Sequence, residues 1–162
     1  MTTVRQVYEA MQAIAPLELA EHWDNPGLLV DCGGQMHRVL AALDITPEVV
    51  AEAAAKQCEM IVSHHPVIFD PLKKIGPQDV PFQLVQAGIS AICMHTNLDA
   101  AAGGVNEVLA QNLGLSDLKM LTEEKIGRIG TLKCEIPLVE FTHSVIELLG
   151  CNGLRYVDAG RP

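Results

Sequence analysis

The feature that most constrains this chain is a series of short apolar runs, each of strand length and each ending abruptly in polar residues. Met60-Ile61-Val62-Ser63 gives way to His64-His65-Pro66, and the run at 89–94 ends in His95-Thr96-Asn97-Leu98-Asp99. A third run, residues 39–45, precedes them and carries Asp44 near its end. Between the first two strands in chain order, Thr46 supplies a cap, Pro47 a first helical residue and Glu48 an acidic first turn, predicting a helix to about Cys58. Strand, helix and strand in this order predict a right-handed βαβ unit with parallel strands. In such a sheet the carboxyl ends of the strands share one rim, and ligands bind in the crevice outside it. The expected rim therefore gathers His64, His65, His95 and Asp99.

Imidazole and carboxylate together suit Zn, Fe, Mn, Ni or Co, whereas Mg and Ca prefer all-oxygen shells. Pro66 favours an extended backbone at His65, and successive side chains of an extended chain diverge. The adjacent pair is accordingly expected to serve two neighbouring ions, about 3.5–4 Å apart in two-metal sites. Asp99 is then a bridging or capping carboxylate. His95 is either a further ligand or a partner that orients one. A His-His-Pro turn alone also fits a polar bend; the second cluster at a matched strand end is what favours a metal.

Elsewhere the chain is punctuated clearly. Thr3 and Gln6 form a capping box for a first helix with the stripe Val4, Val7, Tyr8 and Met11. Residues 17–38 are irregular around the short run Leu28-Leu29-Val30, and residues 67–81 form a Pro-containing loop followed by a helix at about 80–87. Gly103-Gly104 opens a helix whose expected inward stripe is Val105, Val108, Leu109 and Leu113; helix-start geometry explains the glycines as well as a phosphate does. A last helix after Pro137 is expected to turn Leu138, Phe141, Val145, Leu148 and Leu149 inward. Asp44 is read as turn chemistry, or else as a group behind a ligand or toward a substrate, Cys93 as a core residue near the site, and His37 and His143 as exposed.

At 162 residues, with 49% hydrophobic and 19% charged residues, the chain can bury one real core, and residues 1–162 are expected to form a single α/β metal-binding domain. The net charge of −9 opposes strong nucleic-acid binding, since the basic spots are confined to Lys73-Lys74 and to Lys125 with Arg128. No run is long enough to span a membrane, and the N-terminus opens an amphipathic helix rather than a signal peptide. Five scattered cysteines without a Cys-x-x-Cys pair suit reduced thiols in the cytoplasm.

The strings Trp23-Asp24-Asn25-Pro26-Gly27-Leu28, Leu43-Asp44-Ile45-Thr46-Pro47, Ser63-His64-His65-Pro66, His95-Thr96-Asn97-Leu98-Asp99 and Gly103-Gly104-Val105-Asn106 occur in that order. Together they resemble the GTP cyclohydrolase I type 2 family, also called the NIF-three-like family, over essentially the whole chain. The resemblance implies a three-layer α/β fold with a mostly parallel sheet flanked by helices, assembled as a hexameric ring. It implies two divalent metal ions per subunit, held by His64, His65 and Asp99 with His95 at or beside the site. It further implies hydrolytic opening of a purine ring, with a nucleotide as substrate. Family members also carry a further His and Glu near their C-terminus. No such His-x-x-x-Glu follows here and His143 lies in the wrong place to replace it, so the chain is expected to be the N-terminal portion of a longer member or a short member with an incomplete site. In either case one ion is expected to be held weakly and GTP converted poorly or not at all. A non-enzymatic metal-handling or regulatory protein, or another metal-dependent hydrolase such as a phosphoesterase, would use the same ligands.

Overall fold

The computed structural model describes residues 1–122 and 126–160, and the chain divides into two compact units, Met1–Gly104 and Val105–Pro162. Lys125, of the basic spot with Arg128, lies outside the described residues.

In the first unit β1 (Thr2–Thr3) pairs antiparallel with β3 (Gln35–Met36) and leads directly into α1 (Val4–Ile14). The expected capping box is present. Thr3 Oγ1 accepts from the Gln6 N–H at 3.3 Å, and Gln6 Oε1 accepts from the Thr3 N–H at 2.9 Å. The central sheet contains β2 (Gly27–Val30), β4 (Val39–Ala42), β5 (Met60–Ser63) and β6 (Ser90–Cys93), in the order β2-β6-β5-β4. β4, β5 and β6 run parallel, and β2 lies antiparallel along the outer edge of β6. The helices α2 (Pro47–Ala55) and α3 (Val80–Ala87) are the crossovers.

Alternation along the strands separates two cores. Ile61 and Ala91 face Val50 and Ala53 of α2 and Leu84 of α3, whereas Met60 and Ile92 face Val4 of α1 with Val7, Tyr8 and Met11 packed beside it. Helices therefore cover both faces of the sheet, giving the three-layer α/β arrangement.

Two boundaries are earlier than the sequence predicts. β4 ends at Ala42 rather than at residue 45, because its partner β5 ends opposite it at Ser63 and the ladder runs out. α2 ends at Ala55 rather than near Cys58. Gln57 turns left-handed (φ 55°), its N–H reaches the Ala54 carbonyl, and the Cys58 N–H reaches the Ala53 carbonyl. This is the double bond of a Schellman stop, here built without glycine. A short helix the sequence did not signal, α4 (Thr96–Ala100), follows β6 directly.

The second unit contains α5 (Val105–Asn112), an antiparallel hairpin of β7 (Leu115–Met120) and β8 (Arg128–Leu132), and α6 (Leu138–Leu149). The hairpin escapes a sequence reading because its register shifts between Ser116 and Lys119, where Asp117 is left-handed (φ 52°). The expected inward stripes are only partly inward. On α5 Val105, Val108 and Leu109 are exposed and Ala110 is buried; on α6 Val145 is buried while Leu148 and Leu149 are exposed. A unit of this size with one two-stranded ribbon has too little surface to cover two helix stripes.

Gly104 closes the first unit, and its reason is close packing. A Cβ there would lie 1.9 Å from the Leu98 carbonyl oxygen and 2.9 Å from that of Ala101, both backbone atoms. Gly104→Ala is therefore expected to cost roughly 2–4 kcal/mol, because the turn after α4 must shift. Urea unfolding followed by circular dichroism measures this. A change below about 0.5 kcal/mol would show that the turn yields freely.

Candidate metal centre

The register of the sheet sets the site. Ala42 stands opposite Ser63, and Ser63 opposite Cys93, so three parallel strands end at one level. The next residues of each strand deliver Asp44, then His64 and His65, then His95. His64 and His65 do not diverge as an extended backbone would require. The His64 N–H donates to the Ala42 carbonyl and the His65 N–H to the Leu43 carbonyl, while Ser63 Oγ donates to the His65 carbonyl at 2.8 Å. These bonds bend the chain and turn both rings the same way. One ring nitrogen from each of His64, His65 and His95 lies within 4.8 Å of the others, and the ring centroids are 5.0–5.6 Å apart.

Every imidazole is held from behind. His64 Nδ1 lies 3.0 Å from the Met94 carbonyl, His65 Nδ1 2.7 Å from Asp44 Oδ1, and His95 Nδ1 2.8 Å from Asp24 Oδ1. Carbonyl and carboxylate oxygens only accept, so Nδ1 donates in each pair, and in the neutral ring Nε2 keeps its lone pair. That arrangement fixes ring and tautomer in the manner of metal-ligating histidines. Asp99 joins from α4. The Asp99 N–H bonds to the His95 carbonyl, one helical turn back, and Asp99 Oδ1 stands 3.8 Å from His64 Nε2. The three imidazoles singled out from the sequence thus stand together, with Asp99 beside His64. Their donor set, imidazole nitrogen with one carboxylate, fits a divalent transition metal.

Asp24 is the group that sequence reasoning left without a role. Its side chain is 0% exposed, and it accepts from His95, from the Thr96 N–H and hydroxyl, and from the Asn25 N–H. Burial alone would raise its carboxyl; these donors outweigh burial and hold it below the ordinary carboxylate value. Lying 71 residues from His95, it offers no spacing signal. Asp44 proves to be a partner of His65, exposed on its other side. Cys93 is buried behind His64, where Sγ donates to the His64 carbonyl at 3.0 Å. Burial, with the Asp24 charge adding to it, pushes this thiol up to about 12, and it belongs to the core. His37 and His143 are exposed, as expected.

Fold and site together define a three-layer α/β protein with a histidine-rich cluster at the carboxyl rim of its sheet. The chain belongs to the DUF34/NIF3 (NGG1p interacting factor 3) family, whose model matches residues 2–162. It is 34% identical over 152 residues to a Lactococcus lactis protein named GTP cyclohydrolase 1 type 2 homolog, covering 90% of this chain and 59% of that one. A protein of the same name from Clostridium acetobutylicum is 31% identical, with 94% and 62% covered. The chain thus spans about three-fifths of the length of these relatives. Among solved structures, Staphylococcus aureus hypothetical protein SA1388 superposes with a TM-score of 0.81 at 26% identity, covering 95% of this chain and 66% of that one. Reduced HcgD from Methanocaldococcus jannaschii superposes at 0.80 with 27% identity, covering 90% and 59%.

The lowered Asp24 carboxyl has a testable consequence. A group whose folded value is depressed contributes stability above its unfolded value, here 3.8, and loses it as pH falls through the lower folded value. Asp24→Asn is expected to destabilise by roughly 1–3 kcal/mol at neutral pH, as charge-assisted hydrogen bonds do. The gap to the unsubstituted protein should close below about pH 4. Thermal melts across pH decide it; a gap independent of pH would remove the charge from the account.

Proposed function

We propose that this chain binds divalent transition metal through His64, His65, His95 and Asp99 and serves metal-dependent hydrolysis of the type implied by the names of its relatives. The observation that carries the reading is the set of three imidazoles, each with Nδ1 engaged from behind and Nε2 left for a ligand bond. A bound ion supplies a water of lowered pKa, close to neutrality, and orients it. The chain's own residues do the rest. Asp24 and Asp44 hold the Nδ1 protons of His95 and His65 and so keep both rings aimed. The Asp99 carboxylate, only partly exposed beside His64, is a ligand or accepts a proton at Oδ1.

The reading extends to two ions per subunit, a purine nucleotide as substrate and a homo-oligomer in the form of a hexameric ring, supported by the family resemblance and by the relatives' names. A cytoplasmic setting is supported by five free cysteines. The net charge of −9 speaks against strong nucleic-acid binding, and no helix among the described residues is long and apolar enough to cross a membrane.

Elemental analysis after dialysis is expected to find a divalent transition metal in the purified protein, and His64→Ala with His65→Ala is expected to abolish it. Unchanged metal content in the double variant would remove the site. GTP consumption with added Mn, Fe or Zn is expected to be slow and to vanish in the double variant. Bound metal with no GTP consumption would favour metal handling over hydrolysis.

A further inference from the structure

Aromatic residues are scarce in this chain: one Trp, two Tyr and three Phe among 162 residues. The single Trp and one Phe nevertheless stand side by side at the histidine cluster, and both are open to solvent. Trp23 is 53% exposed and Phe69 46% exposed. Their ring centroids are 6.2 Å apart with planes at 51°, and the Trp23 ring meets His95 edge-on at 6.5 Å. Exposing two large rings forgoes the burial that aromatic side chains ordinarily supply to a core.

Neither ring is held loosely by its backbone. The Asp24 side chain, next to Trp23, is fully buried and bonded to His95 and Thr96. Asn25 Nδ2 donates to the carbonyl of Ile68, the residue before Phe69, at 2.7 Å. The Asp24 bond that aims His95 thus also fixes the chain beside Trp23, and the bond of the next residue, Asn25, fixes the chain beside Phe69. The Trp23 ring is presented at a set distance from His95, with the Phe69 ring beside it.

We propose that Trp23 and Phe69 form a stacking platform for a planar heteroaromatic ring, a nucleobase or a ring of similar size, bound beside the imidazole cluster. This rests on the cluster being the functional site and adds residues that determine what it accepts. Stacking on aromatic side chains tolerates any base because every base has a π face, and truncating such a platform weakens binding about 5- to 150-fold. The Trp23 ring centroid stands 6.5 Å from that of His95, so a ring stacked on Trp23 adjoins the imidazole cluster.

Because Trp23 is the only tryptophan, its fluorescence reports the site without a label. Guanosine monophosphate and adenosine monophosphate are titrated into dialysed protein with and without added Mn, with ribose 5-phosphate as the control lacking a ring. Saturable quenching by both nucleotides, absent with ribose 5-phosphate, is the expected result. Phe69→Ala should weaken it about tenfold and Phe69→Leu nearly as much, with unchanged circular dichroism since the side chain is half exposed. Equal quenching by ribose 5-phosphate, no saturable quenching, or Phe69 variants that bind as tightly as the unsubstituted protein would each overturn the platform. So would emission that shifts with protein concentration alone, which would assign the rings to a second copy of the chain. The metal reading is separately scored: metal content can fail in the His64, His65 double variant test while quenching persists without Mn, and quenching can fail with metal content intact.

Discussion

The structure depends on one constraint, the parallel pairing of β4, β5 and β6 in a register that ends all three strands together. Parallel strands require crossovers, and the α2 and α3 crossovers return each strand to the same side of the sheet. Residues 20 to 50 positions apart in sequence then leave the sheet at one level. A shift of one residue between β5 and β6 would carry the side chains of the slipped strand from one core to the other. It would also part His95 from the His64–His65 pair. Packing and chemistry are therefore specified by the same ladder: Ile61 with Ala91 and Met60 with Ile92 lock the register that the histidines need.

Above that rim the work passes from apolar contact to hydrogen bonds. Asn97 is fully buried, donates to the Ala15 carbonyl and accepts from the His95 N–H; Thr96 accepts from the Glu21 N–H and donates to Asp24. These bonds stitch the connection after α1 to the start of α4, using polar atoms that would otherwise be desolvated without partners. Among the described residues no buried side-chain nitrogen or oxygen lacks a partner. A network satisfied in this way is rigid, which is what a site needs when its ligand atoms must be placed to within a fraction of an ångström.

What could be read from the sequence follows the range of the interaction responsible. Capping at Thr3 and Thr46, the β5 and β6 runs and the polar residues that end them are local signals, and the structure repeats them. The family resemblance supplied the three-layer order, which local pattern alone left open. Asp24 stands in its motif with no local signal of its role, because the bond to His95 spans 71 residues and nothing in the intervening pattern encodes it. The bend at His64 is hidden from the sequence for a similar reason. Pro66 speaks for an extended chain, and only the Ala42 and Leu43 carbonyls of a neighbouring strand overrule it. In the second unit the helical period was read correctly, but a stripe marks what can be buried and does not supply the surface that buries it.

The two carboxylates behind the cluster perform one task in unequal surroundings. Asp24 has no exposed side-chain surface and its partner His95 is 18% exposed, whereas Asp44 and His65 are about half exposed. Attraction between a carboxylate and an imidazole N–H is several-fold stronger where water is excluded than where it screens the pair. Asp24 is further anchored by three donors besides His95, while the hydrogen bond of Asp44 runs to His65 from the solvent side. His95 is thus the fixed edge of the cluster and His65 the yielding one. The fixed edge is also the one that Trp23 meets. The imidazole cluster is consequently most rigid where the exposed aromatic rings adjoin it and most adaptable on the opposite side, facing solvent.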